Sequence, residues 1–260
     1  TNNIVIATRG SALALAQANM IFDQCRKAFP KLTFEIKIMK TTGDKLQTQG
    51  VKPGQSLPKG LFTKELEVAL VKRKADLAVH SLKDLPTELP PGLTLGAITK
   101  REDPREVLVY RDQAHLGMIA SSEEVEEWSP GHSKRRGFEP GLSIRDLPEG
   151  LTVATSSPRR KSQLLRLRPD WKVVEIRGNV PTRLEKLANN AEIDATILAH
   201  AGLRRLHFEI GKDGFLRGDA VPDGLCSNVI ETSDMLPCVG QGAIGIEIRE
   251  NDERLAKLCQ

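Results

Sequence analysis

Apolar positions along this chain recur with two different periods. Short runs rich in β-branched residues, 4–8, 33–39 and 77–80, alternate with stretches in which apolar residues return every three or four positions, 12–28 and 62–72. Runs of the first kind predict strands and stretches of the second kind predict helices, so the opening third of the chain reads as βαβ units on a mainly parallel sheet. The same grammar returns later, with strands at 151–155, 172–176 and 194–199 and helices at 158–167 and 181–189. Two α/β lobes follow from this. The crossings between them fall at 100–104 and again after Ala199, so the first lobe is expected to be discontinuous, 1–101 with 197–250, and the second to span 102–196. Residues 113–142 lack sustained periodicity and read as a surface insertion in the second lobe, with Arg135 and Arg136 as solvated charges. Residues 251–260 read as the start of a third domain, with Cys259 on a helix. No strong internal repeat stands out; the likeness of Asp76-Leu77-Ala78-Val79-His80 to Asp194-Ala195-Thr196-Ile197-Leu198-Ala199-His200 reads as a shared helix-to-strand step.

Composition narrows the picture. Of 260 residues, 39% are hydrophobic and 28% charged, and the longest apolar-rich stretch, 12–22, is broken by Gln17 and Asn19, short of the run of about 18 that a membrane helix needs. No membrane span and no secretory leader are expected. Lys plus Arg number 38 against 34 Asp plus Glu, a net charge of +4 that permits an anionic partner without calling for nucleic acid. Aromatic residues, at 4%, are too few and scattered for a platform that stacks bases. Cys25, Cys226, Cys238 and Cys259 form no C-x-x-C pair, so reduced thiols are expected, with neither a zinc site nor a redox motif.

Where the arginines fall matters more than their number. Ligands of open α/β sheets gather at the carboxyl ends of strands, where helix N-termini present backbone N–H groups. Thr8-Arg9-Gly10-Ser11 ends the first strand, and a plain turn capped by Ser11 explains it as well as an anion site does. In Thr155-Ser156-Ser157-Pro158-Arg159-Arg160, Ser157 is placed as helix cap and Pro158 at the first helical position. Arg159 and Arg160 then occupy the first turn, where the helix dipole disfavours cations by about 0.3–1 kcal/mol each. Arg177-Gly178-Asn179-Val180-Pro181-Thr182-Arg183 repeats the arrangement. A bound anion would remove the conflict, and repeated violation of a local rule marks functional sites. Arg9, Arg159, Arg160, Arg177 and Arg183 are therefore read together as a cleft for carboxylates or phosphates.

The segment Val79-His80-Ser81-Leu82-Lys83-Asp84-Leu85-Pro86 adds an acid. Asp84, beside Lys83 and near guanidinium groups, either caps a turn before Pro86 or holds a proton at a cationic nitrogen. The nearness of His80, Ser81 and Asp84 does not make a hydrolase triad, because triads assemble from distant segments and no G-x-S-x-G elbow is present. Gly240-Gln241-Gly242-Ala243-Ile244-Gly245 has the G-x-G-x-x-G spacing, but the strand-like Ile246-Glu247-Ile248 follows it where a dinucleotide fingerprint opens a helix. No metal-site pattern occurs. At this point an enzyme and a non-catalytic binding protein for a small polycarboxylate both fit.

Eight stretches, in order and spanning nearly the whole chain, resemble the porphobilinogen deaminase (hydroxymethylbilane synthase) family: Ile6-Ala7-Thr8-Arg9-Gly10-Ser11 with Gln17; Lys59-Gly60-Leu61-Phe62 with Lys64-Glu65-Leu66-Glu67; Ala78-Val79-His80-Ser81-Leu82-Lys83-Asp84-Leu85-Pro86; Arg101-Glu102-Asp103-Pro104-Arg105; Thr155-Ser156-Ser157-Pro158-Arg159-Arg160; Arg177-Gly178-Asn179-Val180 with Thr182-Arg183; Ala201-Gly202-Leu203 with Arg205-Leu206; and Val239-Gly240-Gln241-Gly242-Ala243. The resemblance implies an α/β fold whose two lobes are of the type 2 periplasmic-binding-protein kind, followed by a smaller α+β domain. It implies condensation of four porphobilinogen molecules head to tail, with loss of ammonia, on a dipyrromethane cofactor joined to a cysteine by a thioether, in haem and related tetrapyrrole synthesis. By the same resemblance Asp84 is the catalytic carboxylate, which assists loss of the amino group and stabilises the cationic pyrrole nitrogen. Arg9, Ser11, Lys83, Ser157, Arg159, Arg160, Arg183 and Arg205 would bind the cofactor. Arg9, Gln17, Phe62, Arg159, Arg177 and Arg183 would bind substrate, and Lys59 would sit on a mobile loop. Gln55 and Pro181 stand where the family commonly has lysine and glycine. None of the four cysteines lies in the family's Gly-Gly-Cys attachment motif, so the 260 residues are expected to be a fragment without that anchor. The implied protein is a cytoplasmic monomer, or a plastid one if a transit peptide has been removed, and binds neither metal, nucleic acid nor membrane.

Overall fold

A computed structural model describes residues 3–43, 60–122 and 135–260. Its elements, in chain order, begin with β1 (Asn3–Arg9), α1 (Ala12–Ala28), β2 (Thr33–Met39), α2 (Lys64–Val71), β3 (Leu77–Ser81), β4 (Leu93–Ile98), β5 (Glu106–Arg111), α3 (Gln113–Ser122), β6 (Thr152–Ala154) and α4 (Pro158–Leu167). They continue with β7 (Lys172–Val174), α5 (Val180–Asn189), β8 (Ala195–Ala199), α6 (His200–Arg205), β9 (Glu209–Ile210), β10 (Leu216–Arg217), β11 (Leu225–Ile230), β12 (Ile244–Arg249) and α7 (Glu253–Leu258). No helix among the described residues is long and apolar enough to cross a membrane.

The chain divides into two compact units, Thr1–Glu102 with Val239–Gln260, and Asp103–Cys238. The first crossing is close to the expected 100–104. The return expected at about residue 197 comes instead at Val239, because β8 is a central strand of the second sheet and β11 pairs antiparallel with β5 in that sheet. Residues 251–260, expected to open a third domain, pack on the first unit: Leu255 is fully buried in a cluster with Ile4, Ile6, Ile21 and Ile248, and Ala256, Leu258 and Cys259 lie against it. Of the supposed insertion at 113–142, residues 113–122 form α3, whose N-terminal turn is held where Asp112 accepts from His115 N at 2.9 Å; residues 123–134 lie outside the described residues.

Both sheets have one strand order. In the first it is β2-β1-β3-β12-β4 and in the second β7-β6-β8-β5-β11, each with three parallel strands followed by an antiparallel one threaded between the third and the last. Central strands are apolar on both faces, as helix-covered sheets require. Along β5, Leu108 and Tyr110 enter one cluster with Leu164 of α4, while Val107 and Val109 enter another with Leu184 and Leu187 of α5. In the first unit Ile4 and Ile6 pack with Ile21 of α1, and Ala7 packs with Leu66 and Leu70 of α2.

Register makes the likeness residue-specific and overturns the reading of no strong repeat. Pairing of Ile6 with Leu77 and of Val153 with Ala195 puts Asp76 and Asp194 at equivalent places. Pairing of Ile246 with Val79 and of Leu108 with Ile197 does the same for Arg249 and Arg111. The equivalent residues build one latch twice. Asp76 accepts from Val5 N at 3.0 Å and pairs with Arg249 at 3.1 Å, whose Nη1 donates to the carbonyls of Leu70, at the end of α2, and Ala75. Asp194 accepts from Thr152 N at 2.8 Å and lies 3.9 Å from Arg111, which donates to the carbonyls of Leu187, at the end of α5, and Ile193. In each case a guanidinium satisfies carbonyls that a helix end leaves open. Arg136 joins the second latch by pairing with Asp194, and Arg135 Nη1 donates to Ala188 O at 3.4 Å, so these two arginines are structural partners and not the solvated run expected.

Candidate functional site

In the first unit the candidate residues meet at the carboxyl ends of β1 and β3. The chain leaves β1 at Arg9, and Ser11, in an extended conformation, caps α1 by accepting from Ala14 N at 3.3 Å. Thr8 Oγ1 donates to Ala14 O at 3.1 Å and ties strand to helix. Gln17, on the buried face of α1, donates to Ser81 Oγ at 2.9 Å and accepts from it at 3.2 Å. The Arg9 guanidinium lies 4.2 Å from the centroid of the Phe62 ring, a cation–π contact. Gly43 makes room for that ring: a Cβ there would come within 2.3 Å of Phe62.

After β3 the chain makes a 3-10 turn, Leu82–Asp84. This turn is propped by the glycine segment that failed as a nucleotide fingerprint. Leu82 N donates to Ala243 O at 3.0 Å, Lys83 Nζ donates to Gln241 Oε1 at 3.2 Å, and Arg101 Nε donates to Gln241 O at 2.8 Å. Gly242 has a φ of +93° and its Cβ position is 2.4 Å from Glu102 O, so a side chain there is excluded twice. The turn presents Asp84, which is exposed and whose carboxylate makes no hydrogen bond or ion pair among the described residues. Asp84 is therefore not the turn cap that was its plainer reading. Arg9, Ser11, Gln17, Phe62, Ser81 and Asp84 line one pocket.

In the second unit the basic junctions also lie at strand ends. Ser157 caps α4 by accepting from Arg160 N at 3.3 Å, with Pro158 at the start of the helix, and Ser156 Oγ donates to Ile176 O at 2.8 Å. The conflict between Arg159, Arg160 and the helix dipole is relieved inside the protein. Glu106, fully buried at the start of β5, pairs with both: Arg160 Nη2 is 2.7 Å from Oε2 and Arg160 Nε 3.1 Å from Oε1, while Arg159 Nη2 bonds Oε1. Burial pushes the Glu106 carboxyl upward, but the two guanidiniums outweigh it and hold it below its ordinary range. Arg160 Nη1 donates to Ile197 O at 2.8 Å, so all three of its nitrogens have protein partners. Glu106 was not singled out from sequence; a lone acid opening the apolar run Glu106–Arg111 was the available signal.

Arg183 differs. Its Nε donates to Gly178 O at 2.8 Å, and among the described residues no carboxylate pairs with it. Burial, with Arg160 nearby, lowers its pKa from the usual arginine value. Asn179 caps α5 by accepting from Thr182 N at 2.9 Å, and Gly178, at φ +120°, lies where a Cβ would be 2.8 Å from Thr182. Arg177 points elsewhere: it pairs at 3.2 Å with Glu175, and both side chains are well exposed. Arg205 closes α6, half-buried. Lys59 lies outside the described residues. Among the described residues no group of three His, Cys, Asp or Glu could hold a metal ion.

Two α/β units of one strand order, each with charged side chains at the carboxyl ends of its strands, place the chain in the class of type 2 periplasmic-binding-protein folds. A family model described as "Porphobilinogen deaminase, dipyromethane cofactor binding domain" matches residues 4–257. The chain belongs to the porphobilinogen deaminase family. It is 43% identical over 256 residues to porphobilinogen deaminase, chloroplastic, of Euglena gracilis, covering 98% of this chain and 45% of that protein. It is 39% identical over 256 residues to porphobilinogen deaminase of Thermus thermophilus, covering 98% of this chain and 68% of that protein. With the Desulforudis audaxviator enzyme the identity is 42% over 261 residues, covering 99% and 69%. The chain thus spans from under half to about two thirds of these relatives' lengths. Among solved structures, the effector-binding domain of BenM is similar at a TM-score of 0.49 and 15% identity, over 99% of this chain and 90% of that one.

Proposed function

We propose that the protein containing this chain is a hydroxymethylbilane synthase, a cytoplasmic transferase that joins four porphobilinogen molecules head to tail with release of ammonia. The observation that carries the reading is Asp84, a carboxylate left exposed and, among the described residues, unpartnered in a pocket of otherwise engaged groups. A fixed anion facing positive charge as it develops on a pyrrole nitrogen lowers the barrier by several kcal/mol, on the order of 3 for one well-placed group. Asp84 is assigned that task. Arg9 and Ser11 in the first unit, and Ser157, Arg159 and Arg183 in the second, bind acetate and propionate arms, with Gln17 and Phe62 shaping the pocket wall. Arg160 acts through Glu106, which aims Arg159, and Lys83 orients the acid turn through Gln241.

The donors present fit the acid arms of a dipyrromethane, since Arg183 is desolvated and has no carboxylate of its own among the described residues. When bound, that cofactor supplies the free pyrrole carbon on which the product grows. Its thioether would need a cysteine outside this sequence, because Cys25, Cys226 and Cys259 pack in the apolar clusters and Cys238 lies outside the attachment motif. The test is incubation of the full-length protein with porphobilinogen. Linear tetrapyrrole with one ammonia per unit consumed is expected; binding of porphobilinogen without ammonia release would instead make this a binding protein.

A further inference from the structure

The pocket beside Asp84 has a second titratable wall that the reaction above does not use. His80, next to last in β3, lines this pocket and is only 5% exposed. Its Nε2 lies 3.0 Å from Oε2 of Glu247 on β12, whose side chain is wholly buried. Oε1 of Glu247 is also buried and has no hydrogen-bond partner among the described residues. A carboxylate is costly in such a place unless a matching charge or donor stands beside it, and the imidazole is what stands there. With Nε2 donating to Glu247, Nδ1 becomes the bare nitrogen of the neutral ring, and a proton added at Nδ1 yields an imidazolium whose counter-ion is already in place.

We propose that the Glu247–His80 pair is the proton acceptor of this pocket, taking at Nδ1 of His80 the proton that a pyrrole carbon loses in each coupling. The proposal rests on the condensation reading above. In one coupling the aminomethyl C–N bond breaks and its electron pair leaves on ammonia. A bond then forms between the methylene carbon and the ring carbon, the C–H bond of that ring carbon breaks, its electron pair returns to the ring, and its proton passes to Nδ1 and on to solvent. No oxidant or reductant is needed. Asp84 is poorly suited to this second task, because a carboxylate that serves as counter-charge to a cation loses that charge when it accepts a proton. The charged groups around His80 divide accordingly: Arg9 from β1 faces carboxylate arms, Asp84 from the 3-10 turn faces the cation, and Glu247 from β12 holds the imidazole.

The test uses full-length holoprotein and porphobilinogen carrying deuterium at its free ring carbon. His80→Asn is expected to lower kcat about a hundredfold, to keep a first rapid release of ammonia, and to reveal a primary isotope effect absent from the wild type. A fall in kcat without an isotope effect, or loss of the ammonia burst, overturns the proposal. Glu247→Gln is expected to show the same isotope effect with a smaller drop, and serves if His80→Asn does not fold. Nitrogen NMR of the His80 ring gives a readout without turnover: a proton on Nε2 and a bare Nδ1 are expected, and the opposite tautomer overturns the assignment. Failure of the underlying reading looks different, since the wild-type protein would then release no ammonia at all.

Discussion

The two units are built on one plan and finished with opposite charges. Each has the same strand order, the same Asp–Arg latch at one end and a serine-capped helix at the other. At the carboxyl ends of its strands the first unit leaves an anion, Asp84, uncompensated among the described residues. The second leaves a cation, Arg183, with no carboxylate partner among the described residues, while its neighbours Arg159 and Arg160 are matched by the internal carboxylate of Glu106. The scaffold explains what the units share, and the charge left without a partner among the described residues is what the proposed ligand contacts build on.

The sharpest way to break this comparison is Asp84→Asn. Because that carboxylate has no partner to lose among the described residues, the proposed turnover of the full-length protein should fall by about a thousandfold while the thermal midpoint stays within error of the wild type. Loss of stability in parallel with rate would mean that Asp84 is structural.

The latches give the next largest effect and a contrast between units. Asp194→Asn strips a buried guanidinium of its counter-ion, both side chains being about 2% exposed, and should cost about 3–5 kcal/mol in denaturant unfolding. Asp76→Asn acts where the side chains are 19% and 11% exposed, and should cost clearly less, on the order of 1–2 kcal/mol. Equal costs would show that burial does not separate the two latches.

Acid should separate the units more gently. Arg105 holds the Asp103 carboxyl far below its ordinary 3.8, and the Glu106 carboxyl is held below its ordinary 4.5. Groups with depressed folded values add stability that is complete above their unfolded values and is lost as pH falls through the folded ones. The second unit should therefore lose hydrogen-exchange protection from about pH 4 downward. The first, in which Asp252 is lowered, should lose less over the same range. Earlier acid opening of the first unit contradicts the assignment. The smallest effect belongs to the caps: Ser157→Ala and Ser11→Ala should each cost about 1 kcal/mol, Ser157→Ala also weakening retention of anionic ligand by the second unit.

Much of this was legible in the sequence because it is local. The alternation of strand-like and helix-like runs gave the α/β class, and Ser11, Ser157 and Pro158 announced their helix starts through cap chemistry that spans only three or four residues. What escaped was long-range. The return at Val239 depends on β11 pairing with β5, more than a hundred residues earlier, and local periodicity carries no trace of that. Arg136 looked solvated because its partner Asp194 is 58 residues away. Glu106 hid for the same reason: a single acid at a strand start gains meaning only once Arg159 and Arg160 are folded beside it. The glycines at 240 and 242 were visible, but not that they serve the Asp84 turn.

The threading of β12 between β3 and β4 has a consequence for synthesis of the chain on the ribosome. All five strands of the second sheet have been translated by Ile230, whereas the first sheet has a gap between its third and last strands until Ile244–Arg249 emerges. The nascent protein should thus complete the second of these bodies first and close the first only once residues 244–249 have emerged, with the acid-bearing turn among the last of its pieces to take shape.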